Sequence, residues 1–155
     1  MVLYLDTSAL AKRYLAETGS RWIQMLAHPA SGNTIAIVNI TRVEIGAAIA
    51  RRQRDPRNRM SLTDREMLIR LFDLHVTQEY LVIDIKPAVI DDAYRLTHRH
   101  QLRGYDAVQL AAALALNSHL ASSGVPELIL IANDAELLTA AKAEGLTTDD
   151  PGVHP

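Results

Sequence analysis

Four short apolar runs, one of them interrupted by Asp84, constrain this chain more than anything else in it: residues 2–5, 35–38, 81–85 and 128–132. None alternates polar with apolar, so none suits a strand with one face in water. Continuous apolar runs of this length are what a parallel sheet buried on both faces requires. Between them lie stretches of helical character. Thr7-Ser8 opens a helix through about residue 15, and Gly19-Ser20 opens a second with Trp22, Ile23 and Leu26 as its apolar stripe. A helix over 41–54 is stopped by Asp55-Pro56, and one over 63–75 carries Met67, Leu68, Leu71 and Phe72 on one side. Pro87 sits well at the first turn of a helix to about residue 100. Residues 105–119 are apolar nearly all round, which implies a buried helix. Residues 135–143 form a last helix closed by Gly145, and the tail from 147 onward has a weak signal for a fifth strand. Strand and helix in alternation give an α/β fold, a three-layer α/β/α sandwich around a parallel sheet of four to five strands. No repeat, low-complexity segment or linker divides residues 1–155, so one domain is expected.

Several classes are excluded. There is no cysteine, hence no disulfide framework and no thiolate metal site. The longest apolar run, 110–116, is mostly alanine and far too short for a bilayer span. The first residues lack the basic start and apolar stretch of a secretory signal, and a soluble cytoplasmic protein is expected. A net charge of −2 advertises no general affinity for nucleic acid, although a local basic patch remains compatible with it.

The chemistry is concentrated in four acids. Asp6 and Asp134 fall just past the carboxyl ends of the first and fourth strands, where open α/β sheets place ligands. Glu44 and Asp106 fall in the first turns of helices that can point at the same edge. Each has an ordinary explanation. Asp6 and Asp134 can be helix N-caps, Asp106 can favour a positive helix end, and Thr41-Arg42-Val43-Glu44 fits a capping box. Those explanations do not predict that all four share one edge. Carboxylates roughly 5 Å apart repel by about 3 kcal/mol per pair at an effective dielectric of about 20. A divalent cation removes that penalty, and an oxygen-only donor set selects Mg²⁺ or Mn²⁺.

The densest basic feature runs from Arg51 to Arg59, with five arginines in nine residues. It reads either as a solvated helix end or, through Arg51 and Arg52, as a contact for RNA phosphates or an acidic partner. Arg103, three residues before Asp106, is better placed to touch a phosphate beside the acids. The six histidines lack ligand spacing, and neither a Gly-rich phosphate loop nor a Gly-x-Ser-x-Gly elbow is present.

Laid out this way, the chain resembles the PIN-domain ribonucleases, and among them the VapC toxins of type II toxin–antitoxin pairs. The matching segments are Leu5-Asp6-Thr7-Ser8-Ala9-Leu10, Thr41-Arg42-Val43-Glu44, Arg103-Gly104-Tyr105-Asp106-Ala107-Val108-Gln109-Leu110-Ala111 and Asn133-Asp134-Ala135-Glu136-Leu137-Leu138. They occur in the family's order and span nearly the whole chain. The resemblance implies a PIN-like fold and Mg²⁺- or Mn²⁺-dependent hydrolysis of RNA, with tRNA or rRNA as the target class. It implies that Asp6, Glu44, Asp106 and Asp134 are the catalytic and metal-binding acids, with Thr7 or Ser8 supporting the first aspartate. Ala132 stands where the family often carries a hydroxyl. A small cognate antitoxin and a homodimer are implied partners. Two other classes share some of these features. A non-catalytic PIN-like RNA-binding or regulatory module would have no use for four acids. A receiver-type regulator phosphorylated on Asp6 does not suit the segment around Asp106.

Overall fold

A computed structural model of the chain describes residues 1–57 and 60–154. Arg59 of the basic cluster therefore lies outside the described residues. The elements run β1 (Val2–Leu5), α1 (Thr7–Ala11), α2 (Ser20–Leu26), β2 (Thr34–Val38), α3 (Thr41–Arg54), α4 (Leu62–Gln78), β3 (Tyr80–Ile83), α5 (Pro87–Arg99), α6 (Gly104–Ser122), β4 (Ile129–Ile131), α7 (Ala135–Ala143) and β5 (Thr147–Asp149). All five strands are parallel, in the order β3-β2-β1-β4-β5.

The period-two geometry of each strand sends alternate residues into two separate cores. Leu3, Leu5, Ile35, Ile37 and Ile131 face one side, against Leu10 of α1, Ile23 of α2, Ile45 and Ile49 of α3 and Phe72 of α4. Tyr4, Ala36, Val38, Leu130 and Ala132 face the other, against α5, α6 and α7. The sandwich is thus α1–α4, sheet, α5–α7. It is the PIN-like α/β/α architecture.

The differences from the sequence reading are local. Helix α1 ends at Ala11 rather than near residue 15. Arg13 and Tyr14 donate backbone bonds to carbonyls three residues back, a tighter turn that tucks Tyr14 and Leu15 into the core. Helix α6 is buried through Ala113 only; further along, Ala115, Ser118 and His119 are exposed. Strand β5 exists, although Thr147-Thr148-Asp149 has no apolar run. Its register against β4 (Ile129↔Thr147, Ile131↔Asp149) holds this edge strand.

After β5, a single 3₁₀ turn at Pro151–Val153 folds back over the start of α2. Gly19 permits this approach: its φ is +84°, and a Cβ there would sit 2.2 Å from the carbonyl oxygen of Pro151. His154 stacks on Trp22 with ring centroids 3.9 Å apart and planes 7° from parallel. No helix among the described residues is long and apolar enough to cross a membrane.

Candidate active site

The strand order reverses once. Successive strands step outward from β1 to β3, then the chain crosses back to β4 on the other flank of β1. The crevice beyond the carboxyl ends of β1 and β4 is the switch point, where open α/β sheets bind ligands. Asp6 follows β1 directly, and its N–H donates to Ile131 O at 3.1 Å. Ser8 joins the two rims: its hydroxyl donates to Asp6 Oδ1 (2.8 Å) and accepts from Asn133 N–H (2.8 Å).

Asp6 is 4% exposed and is also the N-cap of α1, accepting from Ala9 N–H at 2.9 Å. The capping reading therefore holds for it. The Ser8 hydroxyl and the Ala9 N–H both donate to Oδ1, and the Ser8 backbone N–H also favours the carboxylate. Asp134 likewise caps α7 through Leu137 N–H (2.9 Å). Glu44 is not a capping residue. The N-cap position of α3 is Ile40 and carries no side-chain cap, so the expected capping box does not form. Glu44 Oε2 instead accepts from the Thr7 hydroxyl and from Gln109 Nε2 (3.1 Å). The two candidate hydroxyls thus divide their roles, Ser8 serving Asp6 and Thr7 serving Glu44.

The acids sit in one another's fields. Burial raises the Asp6 carboxyl from 3.8 to about 6; the bonds from Ala9 and Ser8 oppose that rise, and Asp106 adds to it. Asp106 is also raised, first by burial, then by Asp134 and Glu44, with Arg103 pulling the other way. So Asp6, Glu44 and Asp134 each come within electrostatic reach of Asp106. Among the described residues, however, no three acidic or histidine side chains close on a common point. The physical reason is visible in the hydrogen bonds: Asp6, Glu44 and Asp134 are each drawn toward their own local donors.

The three candidate arginines fare differently. Arg103 is exposed beside Asp106, where its charge stabilises that carboxylate. Arg51 is exposed and lines an open groove of about 340 Å³ with Ser8, Ala11, Leu15, Arg52 and Asn133. Arg52 is tied down, donating to Ala16 O at 3.0 Å and pairing with Glu17 at 3.8 Å.

Sequence reasoning missed Gln109. It is 2% exposed in the apolar part of α6 and bonds to Tyr4, Thr7, Thr41 and Glu44. Its signal was available: a lone amide inside an apolar helix must find partners or cost several kcal/mol, on the order of 2–7 by transfer.

The fold and crevice define a class, the PIN-like α/β/α domains with acids at the switch point. Particular solved structures share the fold. VapBC2 from Rickettsia felis, bound to a DNA fragment from its promoter, is 15% identical, with 97% of this chain and 98% of that chain covered and a TM-score of 0.63. FitAcB from Neisseria gonorrhoeae is 14% identical over 100% of both chains, with a TM-score of 0.61. VapC20 from Mycobacterium tuberculosis, a sarcin-ricin loop cleaving toxin, is 14% identical over 95% of this chain and 97% of that one, at 0.63. At these identities the similarity is one of fold. No protein-family model matches the sequence, and no curated protein matches it significantly.

Proposed function

We propose that this chain is a divalent-metal-dependent endoribonuclease, the toxin of a VapBC-type toxin–antitoxin pair. The observation that carries the reading is the crevice itself. Asp6, Glu44 and Asp134, from three different elements, each lie within electrostatic reach of Asp106 from a fourth, and the deepest, Asp6, is 4% exposed. A buried carboxylate raised by desolvation and by like charge is a ligand waiting for a cation.

The donor chemistry fits Mg²⁺ or Mn²⁺, because every candidate ligand is a carboxylate oxygen. Asp6 and Asp106 would hold the ion, with Glu44 and Asp134 holding a second ion or orienting water. When bound, the ion supplies the positive charge and Lewis acidity that phosphodiester hydrolysis needs. The chain's own groups do the rest. Ser8 fixes the Asp6 rotamer, Thr7 fixes Glu44, and Arg103 stands where it can take a non-bridging phosphate oxygen. Arg51 would offer a separate basic contact in the groove that it shares with Glu17 and Asp55; Arg52, tied to Ala16 and Glu17, forms its wall.

The solved structures of the same fold include toxin–antitoxin complexes, which supports a small antitoxin as partner. RNA of the tRNA or rRNA class is the proposed substrate, the homodimer the proposed assembly and the cytoplasm the proposed compartment. The test is 5′-end mapping of cellular RNA after a brief pulse of expression, wild type beside Asp106→Asn. New ends at one or a few positions with wild type, reduced at least about a hundredfold in the variant, are expected. Equal cleavage by both proteins would remove Asp106 from the mechanism and with it this assignment.

A further inference from the structure

Gln109 is held by more of the fold than any acid in the crevice. Helices α1 and α3 pack on one face of the sheet and α6 on the other, so the two layers meet only around its edges. Gln109 is one place where they meet. Its Oε1 accepts from Tyr4 OH (2.9 Å), and its Nε2 lies 3.1 Å from Thr7 Oγ1, Thr41 Oγ1 and Glu44 Oε2. The amide can point only one way. Turned over, it would set a carbonyl oxygen against the Glu44 carboxylate.

The arrangement also decides which oxygen of Glu44 is engaged. Thr7 spends its only hydroxyl hydrogen on Oε2, and Gln109 offers an N–H to the same atom. Oε1 has no partner among the described residues. Thr7, which bonds Glu44, directly follows Asp6, so the Glu44 carboxylate stands beside Asp6 at the crevice. Gln109 has two hydrogens for three acceptors, so Thr41 competes with Glu44 and Thr7 for them.

We propose that Gln109 is a positioning residue: it holds Glu44 by Oε2 and leaves Oε1 as the oxygen available to an ion or water in the crevice. This inference rests on the proposed function, because it assigns Glu44 a role at the metal site. Groups that orient a metal ligand by hydrogen bonding are commonly worth about 10–100-fold in metal affinity or activity.

The test is Gln109→Met, close in length and volume but without hydrogen bonds. Mn²⁺ binding is measured by calorimetry on the metal-free protein, and RNA cleavage is measured across the same Mn²⁺ range. The half-saturating Mn²⁺ concentration is expected to rise on the order of tenfold in both assays. In a Glu44→Gln background the same change should add little, because both act through one carboxylate. A lower melting temperature with unmoved Mn²⁺ dependence would make Gln109 a packing residue and overturn the inference alone. Should Gln109→Met fail to fold, Thr7→Val removes the other donor to Oε2 from a more accessible position; an unmoved Mn²⁺ affinity there would overturn the inference equally. A wild-type protein that neither binds Mn²⁺ nor cuts RNA would remove the proposed function and this inference together.

Discussion

Where α4 meets β3, five side chains form a buried polar knot; at the carboxyl edge of the same sheet, four acids form the crevice. In the knot, Arg13 pairs with Glu79 at 2.7 Å and donates to Tyr80 OH at 2.6 Å. Tyr14 OH bonds both Tyr80 OH (2.6 Å) and His75 Nδ1 (2.8 Å), and the Arg13 guanidinium lies 5.4 Å from the Tyr80 ring centroid. One cation faces one anion, and His75 is held below its ordinary 6.5, first by burial and then by Arg13, so it stays neutral. The crevice has no such closure: Asp106 adds to the rise of Asp6, Asp134 and Glu44 add to that of Asp106, and Arg103 opposes the latter from an exposed position. Polar groups buried for structure are neutralised where they stand, whereas those in the crevice are left wanting an outside charge.

The two regions should respond to acid with opposite signs. Asp6 binds a proton more readily folded than unfolded between 3.8 and about 6. Its contribution therefore destabilises fully above pH 6, fades as pH falls from about 6 to 3.8, and is absent below that. His75 binds its proton less readily when folded, so its contribution is present above 6.5 and is lost as pH falls below that value.

The largest expected effect breaks the comparison at the crevice. Asp6→Asn keeps an N-cap but removes the buried charge, and should stabilise the metal-free protein by about 3 kcal/mol at pH 8, from a shift of about two units. Urea unfolding should show that gain shrinking toward pH 4. Added Mn²⁺ at about 100 times Kd should stabilise wild type by about 2.7 kcal/mol and leave the variant behind, sharpening the contrast. Arg13→Met should act in the opposite direction, costing about 2 kcal/mol. That is less than a fully buried pair would lose, because Glu79 remains 27% exposed to water. Smallest is Tyr14→Phe, which leaves His75 Nδ1 without its partner and should cost about 1 kcal/mol by the same assay. A Tyr14→Phe loss as large as that of Arg13→Met would mean the knot is held by its hydroxyls rather than by its charge pair.

The strands were legible because burial on both faces leaves no room for polar residues in Leu3, Tyr4 and Leu5 or in Ile35 through Val38. Strand β5 was not, since register against a neighbour, rather than its own composition, holds Thr147 to Asp149. Of the site, Asp6 and Asp134 could be placed from chain position, because the residue after a parallel strand must stand at the carboxyl edge. Glu44 was ambiguous: its local pattern suits a capping box, and the Thr7 hydroxyl and the Gln109 amide, 37 and 65 residues away in sequence, draw it elsewhere. Gln109 was invisible as a hub for the same reason. Its partners Tyr4, Thr7, Thr41 and Glu44 are distant in sequence and meet only once the two helical layers close.

The turn that seats Pro151 on Gly19 has a reach beyond packing. Asp150 Oδ1, in that turn, accepts from Asn133 Nδ2 (2.9 Å), and the Asn133 N–H holds the Ser8 hydroxyl that supports Asp6. The tail is thus a buttress behind the crevice rather than a loose end. A methyl group at Gly19 would lift the turn, and the slack would pass through Asp150, Asn133 and Ser8 to the deepest carboxylate.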